Sequence, residues 1–532
     1  MPIELFAAPS TRDKLTAARR PSVLLVGGFN GYWNFGDVLQ LQGTIAWYQQ
    51  HLPTALILPF MDLRSITSHA QLPRLELAFG VSDFIFYAHD PSPTRGDVVA
   101  SLVLLDAPSV DAAVPGSVLH VYGGGFLNQY WGAAMVEVME AALARWQPDS
   151  YIISGQQVGR EFAQRLARHC ATFQPNLVGC RDPGSAAALR AHGVVARLSA
   201  DDASDVLSHV ARLTTSPAPA PFGIHVNLTR YVYAVDDEPA VDERRLLLER
   251  LDGDLAALTA RWGTAVEPLV LGASADPAEG TLDGLSALKT VGFVRHFPLM
   301  RHVDLVELLV RGDLQSIADQ VGGCGRVVSS SYHVALLAMH LDVPAMLVAA
   351  NPYYRQKQAG LGGSWGSVEA FLDADVASVV AKQRKTLAAM RRDRARWAAD
   401  VRHVVGTRRV RTSRRRRDSA AVGHARREVA SCRAALERLI ARSSDHQRLL
   451  AGVGAVGPGG SARQRGARLD DLAESADGLA ADAGELAALS VRMKDLARVV
   501  AATAARGQAE AARPPRRARA PSNRAPRAAL SG

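Results

Sequence analysis

The sequence predicts an α/β protein of two doubly wound halves, and three observations carry that prediction. Short apolar runs rich in β-branched or aromatic residues end at glycine, a helical period follows them, and a proline-alanine stretch divides the pattern into two similar parts. In the first half, residues 22–26 (SVLLV) run into Gly27 and Gly28. Residues 117–122 (SVLHVY) run into Gly123, Gly124 and Gly125, and residues 151–154 (YIIS) into Gly155. A helix is predicted over 133–146, where apolar residues recur with helical spacing. Strands alternating with helices form parallel sheets, whose ligands sit at the carboxyl ends of the strands, where these glycine loops lie.

Residues 1–20 read as a lead-in and 21–213 as the first half. Residues 214–222 (TTSPAPAPF) read as a linker, because proline denies a helix or a central strand its donors. The second half, 223–374, carries strands predicted at 222–226, 265–271, 326–329 and 345–349, with a helix over 332–340. Two α/β halves on a short linker imply a cleft, which is the expected active site. A long helix follows over 375–405, and a basic tail over 406–532. In the tail, Leu472, Leu479, Leu486, Met493 and Val500 fall on one seven-residue stripe. A shorter stripe (Val429, Cys432, Leu436, Leu439) lies across the glycine-rich 451–463, so a helical hairpin is predicted within 425–505. The remainder of the tail offers little to bury and reads as disordered.

The chain of 532 residues has a net charge of +9, but the charge is unevenly placed. Residues 401–532 hold 27 Lys and Arg against 12 Asp and Glu, leaving 34 against 40 in the first 400. Basicity belongs to the tail, and base-stacking aromatics are absent from it, so a specific nucleic-acid partner is not expected. Peripheral contact with an anionic membrane through the tail, and pairing of two chains through its helices, remain open. No run of apolar residues suits a membrane span or an export signal, which points to the cytoplasm, with the inner face of the membrane as the alternative. The scattered Cys170, Cys180, Cys324 and Cys432 predict buried thiols rather than disulfides or a zinc site.

Two segments carry residue types suited to chemistry. The loop from Gly28 to Asp37 joins a strand to a helix, and its glycines let backbone amides approach an anion. Asn34 and Asp37 there also suit helix capping. Further on, VVSSSYH places His333 at a strand-to-helix junction, where an imidazole can exchange protons. Tyr353, Tyr354, Arg355, Gln356 and Lys357 follow the next strand and bring two cations to the same sheet edge. Arg181 with Asp182 reads as an internal ion pair, and Asp201 with Asp202 as the end of a loop before a helix.

The succession NFGD (34–37), GGGFL (123–127), Gly155 to Gly159, RDxxS (181–185), SSxxH (329–333) and the stretch from Pro344 to Lys357 resembles the polysaccharide pyruvyl transferase family over residues 20–375. The resemblance implies two Rossmann-like domains in a GT-B-like arrangement, with phosphoenolpyruvate as co-substrate and no other cofactor. It implies a saccharide or lipid-linked saccharide diol as acceptor, and a pyruvate ketal on a cell-surface glycan or its precursor as product. By the same resemblance His333 is catalytic, and Asn34, Gly36, Asp37, Gly124 and Gly125 lie on the acceptor side. Ser329 and Ser331 lie on the donor side, where Ser331 stands in the family's arginine position. Arg160, Arg355 and Lys357 are the cations expected to supply the missing charge. No metal is implied. Two rival readings fit the architecture: a GT-B-type glycosyltransferase using a nucleotide sugar, and a catalytically impaired scaffold with an anion-binding tail.

Overall fold

The computed structural model describes residues 3–17, 21–28, 35–66, 71–89, 101–105, 117–129, 131–215, 222–225, 266–272, 301–348, 352–363, 365 and 367–407, with isolated positions at 253, 256, 260 and 261. Residues Met1–Val410 form one compact unit and Arg411–Gly532 a second. Every described residue belongs to the first. The tail, its hairpin over 425–505 and Cys432 lie outside the described residues, as do Asn34 and most of the 214–222 linker.

The first lobe is built on β1 (Glu4–Ala7), β2 (Ser22–Val26), β3 (Leu56–Asp62), β4 (Ile85–Ala88), β5 (Val103–Leu104), β6 (Val118–Val121), β7 (Gly124–Leu127), β8 (Ser150–Val158), β9 (Leu177–Cys180) and β10 (Ala196–Leu198). The strand order is β10-β9-β8-β6-β2-β3-β4-β1-β5, with β7 beside β8. From β10 to β4 neighbouring strands are parallel. All five residues of β2 and all seven of β3 are buried, as strands covered on both faces by helices require. Val23 and Leu25 enter one apolar cluster and Leu24 and Val26 the other, so the pleat divides the core into two layers.

The second lobe has β11 (Phe222–His225), β12 (Val266–Gly272), β13 (Arg301–Asp304), β14 (Val327–Ser329) and β15 (Ala345–Leu347), ordered β13-β12-β11-β14-β15 and parallel throughout. The expected α/β class is present, with the second sheet parallel throughout and the first parallel from β10 to β4. Within the parallel part of each sheet the chain reverses its direction of travel once, between β2 and β6 in the first and between β11 and β14 in the second. These are the topological switch points at which such sheets open a crevice.

One sequence expectation needs correction. The lead-in 1–20 is part of the first lobe: β1 pairs antiparallel with β4 and β5, and the helix Pro9–Thr16 places Thr11 and Lys14 on the buried Asp83 at 2.9 Å each. A four-residue strand that pairs some 80 residues away leaves no local signal. Among the described residues the two lobes also share packing. One apolar cluster runs from β2 and the helix Phe35–His51 into the second-lobe helices Gln315–Gly322 and Tyr332–His340.

The helix Val376–Thr407 closes the unit. Its first half belongs to the second lobe, where Gln383 donates to the Ala345 carbonyl and Arg384 pairs with Asp342. Its second half lies on the first lobe, with Asp400 bonded to Arg197 and Trp397 buried against Gly179. Replacing Trp397 by alanine is expected to cost about 3–5 kcal/mol, the usual loss for a buried indole. Urea denaturation should therefore show a lowered midpoint; an unchanged midpoint would show that this end of the helix does not hold the first lobe.

Candidate functional site

The switch points of the two sheets meet. Helix Phe35–His51 starts after β2, and Gly36 and Gln40, four residues apart, share one of its faces. His333 is the second residue of the helix Tyr332–His340, which starts three residues after β14. A β-carbon added to Gly36 would lie 1.7 Å from His333 Nδ1, so only glycine lets the ring pack there. His333 Nε2 lies 3.1 Å from Gln40 Nε2 and 3.3 Å from Asp201 Oδ1.

Asp201 and Asp202 follow β10, are 0% and 1% exposed, and form the centre of the site. Asp201 accepts from the Gln40 amide at 3.0 Å and from Arg181 Nη1 at 3.1 Å. Burial alone would raise its pKa, but the His333 imidazole and the Arg181 guanidinium hold the carboxyl well below the ordinary range. Arg181 also donates to Gln157 Oε1 and stacks 4.2 Å over the Tyr332 ring. Asp202 accepts from the Gly123 amide at 2.6 Å, from Ser154 Oγ at 2.5 Å and from Arg394 Nη1 at 2.5 Å. Arg394 reaches in from the long closing helix and also binds Asp205 at 2.9 Å. Two adjacent buried carboxylates are thus each matched by an arginine from a different element.

A second bridge joins the lobes beside the first. Tyr353 donates its hydroxyl to the Gly125 carbonyl at 2.6 Å and accepts at its own carbonyl from Gln157 Nε2 at 3.1 Å. Lys357 is buried, with its ammonium 4.2 Å from the Tyr353 ring centre and 4.7 Å from that of Tyr354. A β-carbon on Gly125 would come 2.0 Å from the Tyr353 hydroxyl and 3.4 Å from Lys357 Cε. Gln356 binds Asp182 and Ser185, completing the contact of the helix Pro352–Gly360 with the first lobe.

The expected site residues therefore divide. Gly36, Gly125, His333 and Lys357 come together at the lobe boundary. Asp37, in the first turn of the helix Phe35–His51, lies beside Gly28, and Gly124 faces Phe126 and Gln40. Arg160 and Arg355 are exposed, and Arg355 is separated from Lys357 by about 200° around its helix. The buried guanidinium beside the site is that of Arg181, whose partner is Asp201 and not Asp182, which caps the helix Pro183–Ala191. Ser329 shapes the loop: its hydroxyl accepts from the Ser331 amide at 2.9 Å and lies 3.2 Å from His225 Nδ1. Ser331 is 1% exposed at the start of the helix. His333, expected to face an open cleft, is only 5% exposed. Gln40 and Arg394 escaped the sequence reading, and Asp201 with Asp202 was read only as the end of a loop. Paired carboxylates directly after a parallel strand were the available signal for a larger role. Among the described residues no three His, Cys, Asp or Glu cluster in a way that could hold a metal, no helix is long and apolar enough to cross a membrane, and Cys170, Cys180 and Cys324 are buried thiols outside any disulfide.

No protein-family model matches the chain, and no curated protein matches it. Solved structures similar to it include two UDP-GlcNAc 2-epimerases. One, from Methanocaldococcus jannaschii in complex with UDP-GlcNAc and UDP, is 10% identical, with 67% of this chain and 94% of that one covered and a TM-score of 0.34. Another, from Neisseria meningitidis bound to UDP-GlcNAc, is 10% identical, with 72% and 97% covered and a TM-score of 0.30. Likenesses at this level assign no residue a role.

Two outcomes follow from the geometry. Gly36→Ala should drive His333 out of its seat, costing about 1–3 kcal/mol and raising amide exchange across 329–340; unchanged exchange would mean that the two loops do not press on each other. His120, buried with Nε2 2.6 Å from Ser154 Oγ, has its pKa pushed down by burial from 6.5 to about 4, against the pull of Asp202. Between those values the unfolded chain binds a proton that the folded one refuses, so stability falls as pH drops from 6.5 to 4. The loss approaches about 3 kcal/mol at the acid end, at roughly 1.4 kcal/mol per pH unit. Denaturant titrations should show a steeper slope in the wild type than in His120→Gln, which keeps the contribution of His340, also pushed down by burial to about 4.

Proposed function

We propose that the chain transfers pyruvate from phosphoenolpyruvate to a saccharide diol of a glycan or its precursor, forming a ketal at the boundary around His333. The reading is supported chiefly by the meeting of both switch points at Gly36 and His333, with buried cations on either side. The imidazole also has a partner in each protonation state. When Nε2 carries a proton it can donate to Asp201 Oδ1, and when it does not it can accept from the Gln40 amide. A ring held in both states can give and take a proton without reorienting.

In the proposed reaction His333 delivers a proton to the methylene carbon of the enol phosphate, leaving a cationic centre at the carbon bearing the phosphate. One acceptor hydroxyl adds to that carbon and gives its proton back to the neutral imidazole. The carbon–oxygen bond to phosphate then breaks, and a second hydroxyl of the same sugar adds, closing the ketal as its proton leaves. Lys357 holds phosphate or carboxylate, and Arg181 keeps Asp201 ionised so that it can face the imidazolium. The acceptor lies toward Gly36, Asp37, Gly124 and Gly125.

The deciving experiment measures phosphate release from phosphoenolpyruvate in the presence of hexopyranosides with two bridgeable hydroxyls, alongside calorimetric titration with phosphoenolpyruvate and with nucleotide sugars. His333→Ala should lower turnover by roughly a hundredfold or more while phosphoenolpyruvate still binds. Asp201→Asn should lower kcat with little change in KM. Wild-type turnover in His333→Ala would remove the histidine from the reaction, and binding of a nucleotide sugar in place of phosphoenolpyruvate would replace the donor.

A further inference from the structure

The helix Val376–Thr407 carries eight Lys and Arg against two Asp, whereas residues 1–375 hold 27 against 38. The basic side chains are arranged, not scattered. At about 100° per residue, Lys385, Arg392, Arg396 and His403 fall within about 20° of one line along the helix. All four are exposed. The packed face, with Gln383, Leu387, Met390, Arg394, Trp397 and Val401, lies on the opposite side. The line therefore points directly away from the body of the protein.

Arg391 and Arg402, both exposed, form a second row about 100° around the helix, together with Arg384, which is engaged by Asp342. Between the rows stand Ala381, Ala388, Ala395 and Ala399, all exposed. No acidic residue lies in this sector. Asp393 and Asp400 sit on the opposite flank, where Asp393 meets Arg396 at 3.6 Å and Asp400 meets Arg197 at 2.6 Å. From Lys382 to Arg402 the helix runs about 30 Å, a straight cationic ridge with small side chains between its charges.

We infer that this outward face of the helix Val376–Thr407 docks on an anionic lipid bilayer. Charge complementarity selects the occupant: the acidic remainder of the unit is repelled by such a surface, so the ridge both attracts and orients. A planar surface fits better than a nucleic-acid groove. The helix is seated on the body along its whole packed side and cannot enter a groove as a recognition helix does, and its one aromatic residue, Trp397, is 2% exposed and points inward. In the sequence the ridge is followed directly by seven arginines within 408–417, which add to the same attraction. The outward face carries no large apolar side chain, so docking is electrostatic, reversible and sensitive to salt. The inference does not depend on the proposed reaction.

The test is co-sedimentation of the full chain with vesicles of phosphatidylcholine alone or mixed with phosphatidylglycerol, at low and high salt. The wild type should bind only the mixed vesicles, and only at low salt. Lys385→Gln with Arg392→Gln and Arg396→Gln should weaken that binding about tenfold or more. A matched loss of three charges in the tail, Arg414→Gln with Arg415→Gln and Arg416→Gln, should weaken it less. Unchanged melting of the helix triple variant would show that the effect is not one of folding. Wild-type vesicle binding by the helix triple variant would overturn the inference, as would vesicle binding lost only with the tail triple. Retention on duplex DNA in place of vesicles, lost in the helix triple variant, would assign the ridge to nucleic acid instead.

Discussion

Two neighbouring carboxylates without access to water dictate much of this structure. Asp201 and Asp202 cannot stay ionised in the interior unless each finds a cation and further donors, and the fold delivers these from separate places. Arg181 comes from the end of β9, Gln40 from the helix after β2, His333 from the other lobe and Arg394 from the last described helix. Removing one partner of such a pair strands the other charge, typically at about 3–5 kcal/mol. The pair therefore fixes where the second lobe and the closing helix must sit, and with them the angle at which His333 meets Gly36.

The same demand gives the histidine its particular setting. The imidazole lies between a carboxylate and an amide, on a floor of glycine. Next to the histidine, the Tyr332 ring carries the Arg181 guanidinium stacked on its face. Lys357 follows a related logic, with its ammonium lying against two tyrosine rings where water is scarce.

The legible parts of the sequence were those whose signal is local. The run SVLLV followed by glycine marks β2 at its observed bounds, and the apolar stretch before Leu341 marks the helix Tyr332–His340. The long helix was expected over 375–405 and is found as Val376–Thr407. Illegible parts depend on partners far along the chain. Arg181 with Asp182 looks like a local pair, yet its partner stands 20 residues on, and Arg394 meets Asp202 across 192 residues. Side-chain periodicity shows which residues are buried but not which buried charges meet. The burial of His333 was hidden for the same reason: continuity of one apolar cluster across two lobes cannot be read from either half alone.

The position of Arg394 and Trp397 has a consequence for how the molecule comes into being. A ribosome releases the first lobe, up to about residue 213, long before it reaches the helix that shields β9 and Asp202. Until that last piece emerges, the nascent first lobe has an acidic pocket open to water and a bare apolar patch at Gly179. Its maturation is thus deferred until residues 376–407 have emerged, and a chain interrupted before the closing helix would leave both lobes incomplete.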